Sequence, residues 1–228
     1  MDVLNYLLPQ PVFDLTPEKQ QSFDDLFSAT PPGGWVDYKL PYPKWQFLSY
    51  LCQSRPLVLH GSQSLAIDEV EPRQANDVRA FSNQSAIYAT TDGIWVIYFA
   101  IIDRLRFRPL TLFNSCLDIR LSPEQVLGPY YFFSITHSAL IQNPWCSGGI
   151  YILPREHFEQ EPPTPMLGVD VIFPHWISTS PALPRAKLKV ELEDFPFLAQ
   201  VHGHDDERLT QLAAANPGGF PWSEALVT

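Results

Sequence analysis

Leu57–Ser62 reads LVLHGS, and its reading decides the fold. Three apolar residues make the start of a buried strand, which then ends on an imidazole and a residue with no side chain. A glycine there lets the main chain approach a flat ligand, so that its N–H and C=O can pair with an amide while the histidine reaches a ribose hydroxyl. A turn glycine beside a hydrogen-bonded histidine is the plainer account of these residues taken alone.

Upstream of this strand the pattern is helical. Thr16-Pro17 gives a hydroxyl N-cap followed by proline at the first helical position, with Phe23 and Leu26 on one face. The PPGG stretch at 31–34 ends that helix. A second runs from Pro43 through KWQFLSYLC, with Trp45, Leu48 and Cys52 on one side. Residues 1–56 are therefore expected to form an N-terminal helical segment packed on a core of residues 57–228, the whole being one globular domain.

Downstream, short apolar runs alternate with turn signals. Strands are expected at Leu57–His60, Ala86–Ala89, Leu110–Phe113, Tyr131–Ile135, Gly149–Leu153, Trp176–Ser178 and Lys187–Leu192. The stretch EQEPPTPMLG (159–168) reads as a proline-rich loop. The tail from HGHDDERL onward reads as one short helix and a loose end, NPGGFPW. Residues 90–104, TTDGIWVIYFAIIDR, are ambiguous: the β-branched content favours a strand, while Thr91 or Asp92 could cap a helix. Strands without regular βαβ alternation imply an α+β fold, with a mixed, mainly antiparallel sheet and flanking helices.

Composition narrows the function. The 228 residues carry 23 prolines, three cysteines and a net charge of -10. Such acidity weighs against general nucleic-acid binding, which needs a basic face, but leaves a nucleotide small molecule as a partner. Scattered Cys52, Cys116 and Cys146, no basic leader and no apolar run long enough to span a membrane lead to the expectation of a cytoplasmic protein with no membrane partner.

Three segments together, LVLHGS, QSAIYATTDGIWVIYFA and HWISTSPALPRAKLKVEL, resemble the ADP-ribosyltransferase fold, particularly its poly-ADP-ribose-polymerase-like branch. The LHGS, EPRQ and YAT blocks are also similar to a bacterial group of such chains. His60, Gly61 and Ser62 match the family's His-Gly-Ser/Thr motif, and Ile87, Tyr88 and Ala89 match its second motif. The resemblance covers roughly residues 57–192. It implies a split sheet of ADP-ribosyltransferase type, a helix over Asp92–Ile102, and NAD as substrate. Gly61 would pair with the nicotinamide carboxamide, Tyr88 would pack on the ring, and His60 and Ser62 would meet ribose hydroxyls. Trp95 or Phe99 would take the place of the family's stacking aromatic.

The sequence departs from the family where a Glu is expected: that position is His175. Breaking the nicotinamide–ribose bond builds positive charge on the sugar, and a carboxylate opposes that charge better than an imidazole does. Glu191, Glu193 or Asp170 could supply the carboxylate. Otherwise the chemistry could be that of a histidine-based NAD-dependent phosphotransferase, or the chain could be a non-catalytic nucleotide-binding or interaction module. His60, Tyr88 and His175 are thus the candidate catalytic residues, and Gly61, Ser62, Arg73, Trp95 and Phe99 the candidate binding residues, with the acceptor left open. Arg73 and Arg79 could hold a pyrophosphate, and Gln74, Asn76 and Asp77 a sugar or base. The HGH of 202–204 reads as a surface turn rather than a metal site, and the carboxylates of PREHFEQE (154–161) as solvated surface.

Overall fold

A computed structural model describes residues 3–74, 81, 83–166, 168–216 and 218–227. Along the chain run β1 (Leu8–Pro9), α1 (Pro17–Ala29), α2 (Lys44–Ser54), β2 (Leu57–Ser62), β3 (Arg73–Gln74), β4 (Ser85–Thr90) and α3 (Gly93–Ala100). The long strands β5 (Leu112–Ser122) and β6 (Gln125–Thr136) follow, then α4 (His137–Leu140), β7 (Gly148–Pro154), β8 (Glu159–Gln160), β9 (Thr164–Met166) and β10 (Val169–Ile172). The chain continues with β11 (His175–Ser178), β12 (Ala186–Val190), β13 (His202–His204), α5 (Asp206–Ala215) and β14 (Leu226–Val227).

These elements make an α+β fold with two seven-stranded sheets. Sheet I has the order β14-β13-β6-β5-β10-β9, with β1 also on β6, and sheet II the order β12-β7-β2-β4-β11-β8, with β3 also on β4. Among the described residues β13–β6 is the one parallel pair of strands, the other strand pairs being antiparallel, and an isolated parallel bridge joins Trp35 to Lys187 of β12. No helix among the described residues is long and apolar enough to cross a membrane.

The helix α3 sits between the sheets. Its run GIWVIYFA is apolar on every side because nearly every side is buried. Asp92 decides helix over strand: one carboxylate oxygen accepts the N–H groups of Ile94 and Trp95, and the other accepts the Tyr131 hydroxyl at 2.7 Å. Burial raises the Asp92 carboxyl pKa, and those hydrogen bonds work against the rise. On the sheet I side, the Tyr98 hydroxyl donates to Ser134 O at 3.0 Å. On the sheet II side the fit is tight: a Cβ on Gly61 would collide with Val96 O, and one on Gly148 with Ala100 O. Helices α1 and α2 join the same core. Thr16 caps α1 as expected, and Phe23 and Phe27 pack with Trp45, Phe47 and Leu51 of α2 and Leu57 and Leu59 of β2.

The expected strands are found, some with different ends. The largest difference is the hairpin β5–β6, which extends well beyond Leu110–Phe113 and Tyr131–Ile135. Its outer half is solvated, with Leu121 and Val126 exposed, and its register shifts twice, so the alternation that marks a strand is lost there. The 159–168 stretch also carries two short strands, β8 and β9.

The HGH segment is not a surface turn: it is β13, and His204 is 1% exposed. Its Nδ1 lies 2.8 Å from Ser134 Oγ, and its Nε2 lies 3.1 Å from Asp206 Oδ1 but off the hydrogen-bonding direction. Burial lowers the His204 pKa from its ordinary 6.5, and Asp206 opposes the shift. Neutral His204 therefore stabilises the fold above pH 6.5, and that contribution is lost as pH falls through the lowered folded value. The difference in unfolding free energy between the wild type and His204→Gln should thus be largest near pH 8 and shrink as the pH falls below 6.5. Urea unfolding across that range measures it.

Candidate functional site

The site is built where β2 leaves β4. β2 is paired with β7 along its whole length, from Leu57 opposite Pro154 to Ser62 opposite Gly149. Its pairing with β4 is a single residue pair, Leu59 opposite Thr90. In an antiparallel ladder, alternate residues turn their N–H and C=O to one neighbour or the other. The Thr91 N–H bonds Pro174 O on the β11 side, so the main-chain groups of Thr90 and Tyr88 turn toward β2. By the same alternation Leu59 and Gly61 turn theirs toward β4. From that pair toward Tyr88 and the start of β4 the two strands diverge, and β3 takes up the edge of β4, with Arg73 opposite Ala86 and Gln74 opposite Ser85.

His60 fills the break in the ladder. Its Nδ1 lies 2.8 Å from the main-chain oxygen of Tyr88. A carbonyl only accepts, so Nδ1 carries the proton and Nε2 is left as an acceptor. The ring is half-buried and lies 6.4 Å from that of Tyr151. Burial lowers the His60 pKa below 6.5; the Tyr88 carbonyl opposes the shift, while Arg73 and Arg104 add to it. A neutral ring with a free acceptor nitrogen suits a hydroxyl donor. Gly61 follows with its N–H and C=O aimed into the split. The Val96 contact alone demands glycine here, so packing on α3, rather than ligand approach, fixes the residue type. The Ser62 hydroxyl accepts the Ser64 N–H at 3.2 Å.

Tyr88 links the two histidines. Its carbonyl holds His60, and its ring stacks on His175 at 5.6 Å and 26°. Trp95 meets His175 edge-on at 5.9 Å, Phe81 does so at 5.6 Å, and Phe99 continues the row at 5.7 Å from Trp95. The Arg104 guanidinium lies 5.7 Å over the Phe99 ring. Tyr88, His175, Trp95 and Phe99 are thereby brought together. The His60 side chain is not among them: it leaves the opposite face of sheet II, beside Tyr151, and joins the group only through the split. Arg73 is exposed at the rim; Asn76, Asp77 and Arg79 lie outside the described residues.

Sequence reasoning missed Glu161. It is 5% exposed rather than solvated, and its Oε2 lies 2.9 Å from His175 Nδ1. The Glu161 N–H also bonds His175 O, which fixes the two main chains together. The other suggested carboxylates lie elsewhere. Glu191 pairs with Lys189 at the β12 edge, and Asp170 is in sheet I opposite Arg120. Glu193 follows Leu192 in the short turn of helix beyond β12. No local signal in the sequence marks Glu161, because its burial follows from Glu159–Gln160 pairing beside β11. Among the described residues no group of three or more His, Cys, Asp or Glu could hold a metal ion. A cavity of about 280 Å³ lined by Arg106, Arg108, Thr136 and Asp206, among others, contains none of these side chains.

The Tyr88 hydroxyl is already engaged: it donates to Gln84 O at 2.6 Å and accepts the Gln84 N–H at 3.0 Å. Tyr88→Phe should keep the ring stack and lower stability by about 1–2 kcal/mol, seen as a fall of roughly 2–8 °C in Tm. In comparisons with known proteins, no family model, no curated protein and no solved structure matches this chain.

Proposed function

We propose that the chain is an ADP-ribosyltransferase-like protein that binds NAD as a substrate and either transfers ADP-ribose or hydrolyses NAD. The observation that carries this reading is the break in the β2–β4 ladder, with Gly61 main-chain groups facing it and His60 Nε2 beside it as a fixed acceptor. A carboxamide needs one donor and one acceptor side by side, and the Gly61 N–H and C=O are such a pair. His60 Nε2 is suited to a ribose hydroxyl, and Arg73 and Arg104 to a pyrophosphate. Tyr88 and Phe99, both partly exposed, offer faces for a planar ring, with Trp95 buried behind them, an arrangement worth about 1 kcal/mol beyond area. The resemblance of the three sequence segments to the family points the same way, and the divergence of β2 from β4 is consistent with its split sheet.

The residues present also fit the charge demand. A lone imidazole in place of the family's Glu would do little for a sugar that becomes cationic. With the Glu161 carboxylate 2.9 Å away, the pair carries a net negative charge while the imidazole is neutral. Its charge falls to zero, not to plus one, when the ring is protonated.

His60→Asn separates binding from folding. The Asn amide nitrogen can stand where Nδ1 stands and keep the bond to Tyr88 O, but nothing replaces Nε2. Calorimetry should show NAD binding to the wild type. The variant should bind about tenfold more weakly, the equivalent of ~1.4 kcal/mol, the order of one hydrogen bond, with Tm nearly unchanged. Wild-type protein that binds neither NAD nor nicotinamide would contradict the reading. Binding without any nicotinamide release would favour the non-catalytic module.

A further inference from the structure

We propose that Glu161 and His175 form a base that takes the proton from a hydroxyl acceptor, water included; this rests on NAD being the substrate. The geometry has the order a general base requires. The buried Glu161 carboxylate holds His175 Nδ1 at 2.9 Å, so that nitrogen is the donor and Nε2 is an acceptor. Among the described residues nothing bonds Nε2, and it is absent from the sealed, unpartnered nitrogens, which are Trp176 Nε1 and His204 Nε2. The side chain keeps 9% exposure. Phe81, Tyr88 and Trp95 fix the ring by its faces and edges, so it cannot turn away. Glu161 is a positioning residue: it orients the imidazole and stabilises it once protonated.

The chemistry limits the acceptor class. A carboxylate nucleophile has no proton to lose and gains nothing from a base. A guanidinium holds its proton too tightly for an imidazole to remove. A hydroxyl or water loses its proton as the new bond forms, and this is where an imidazole base helps. The nucleophile's oxygen bonds C1′ of the ribose as the C1′–N bond breaks. Nicotinamide leaves with that electron pair as a neutral ring. The hydroxyl proton passes to His175 Nε2 and then to solvent, so charge and atoms balance.

The test uses the full chain. NMR of ¹⁵N-histidine-labelled wild type should show His175 with Nδ1 protonated and Nε2 bare, a reading independent of turnover. With NAD, methanol added as the probe hydroxyl should yield the O-methyl ADP-riboside alongside ADP-ribose. Glu161→Gln keeps the hydrogen bond but loses the charge, and should bind NAD within about twofold of wild type while releasing nicotinamide at least about tenfold more slowly. His175→Ala should lose release at least about a hundredfold, and added imidazole should restore part of it. A bare Nδ1 in the wild type overturns the proposal even if a variant fails to fold. So does a His175→Ala protein that binds NAD and still releases nicotinamide at the wild-type rate, and in that case the reading of NAD as substrate stands. Wild-type protein that does not bind NAD removes both.

Discussion

The fold's functional character depends on one replaced hydrogen bond. Where β4 should continue its ladder with β2, the carbonyl of Tyr88 is taken by an imidazole instead of a main-chain N–H. An unpaired carbonyl at that depth would cost a few kcal/mol. His60 avoids the cost, and in doing so holds the two strands apart. The same bond fixes the His60 tautomer, so the acceptor nitrogen beside the split is set by the fold. Gly61 then has main-chain groups with no strand to receive them.

The helix α3 makes this break tolerable. It lies against β2 and β7 so closely that glycine is required at 61 and 148, and it is bonded to sheet I through Tyr98 and Ser134, and Trp95 and Asn114. Its start is fixed by Asp92, whose carboxylate is in turn held by Tyr131 of β6. Both sheets therefore grip one buried helix, and a local gap between two strands does not loosen the core. The same helix presents Trp95 and Phe99 to the histidine side, so the element that braces the split also lines it.

Much of this architecture was legible in the sequence. Thr16-Pro17 marks a helix start by local chemistry, and short apolar runs between turns mark most strands, whereas around Asp92 local chemistry left helix and strand both open and the family resemblance favoured the helix. What was hidden depends on tertiary contacts. The need for glycine at 61 comes from Val96, 35 positions away. Glu161 looks solvated among prolines and charges, and it is buried only because Glu159–Gln160 add a strand beside His175–Ser178. The opposite facing of His60 and Tyr88 follows from the strand register, which short motifs do not report. His204 looked like part of a turn because its burial depends on β13 lying parallel to β6.

The central claim is that the main chain of Gly61, in the split beside His60, holds a carboxamide. Its most direct test is a titration of ¹⁵N-labelled protein with nicotinamide, following backbone amide signals. The account predicts that the Gly61 N–H shifts downfield in a saturable way, with smaller changes at Tyr88 and Phe99, and that nicotinic acid, which lacks the amide, shifts it far less. A Gly61 signal that stays fixed while nicotinamide binds elsewhere, or does not bind, would contradict it.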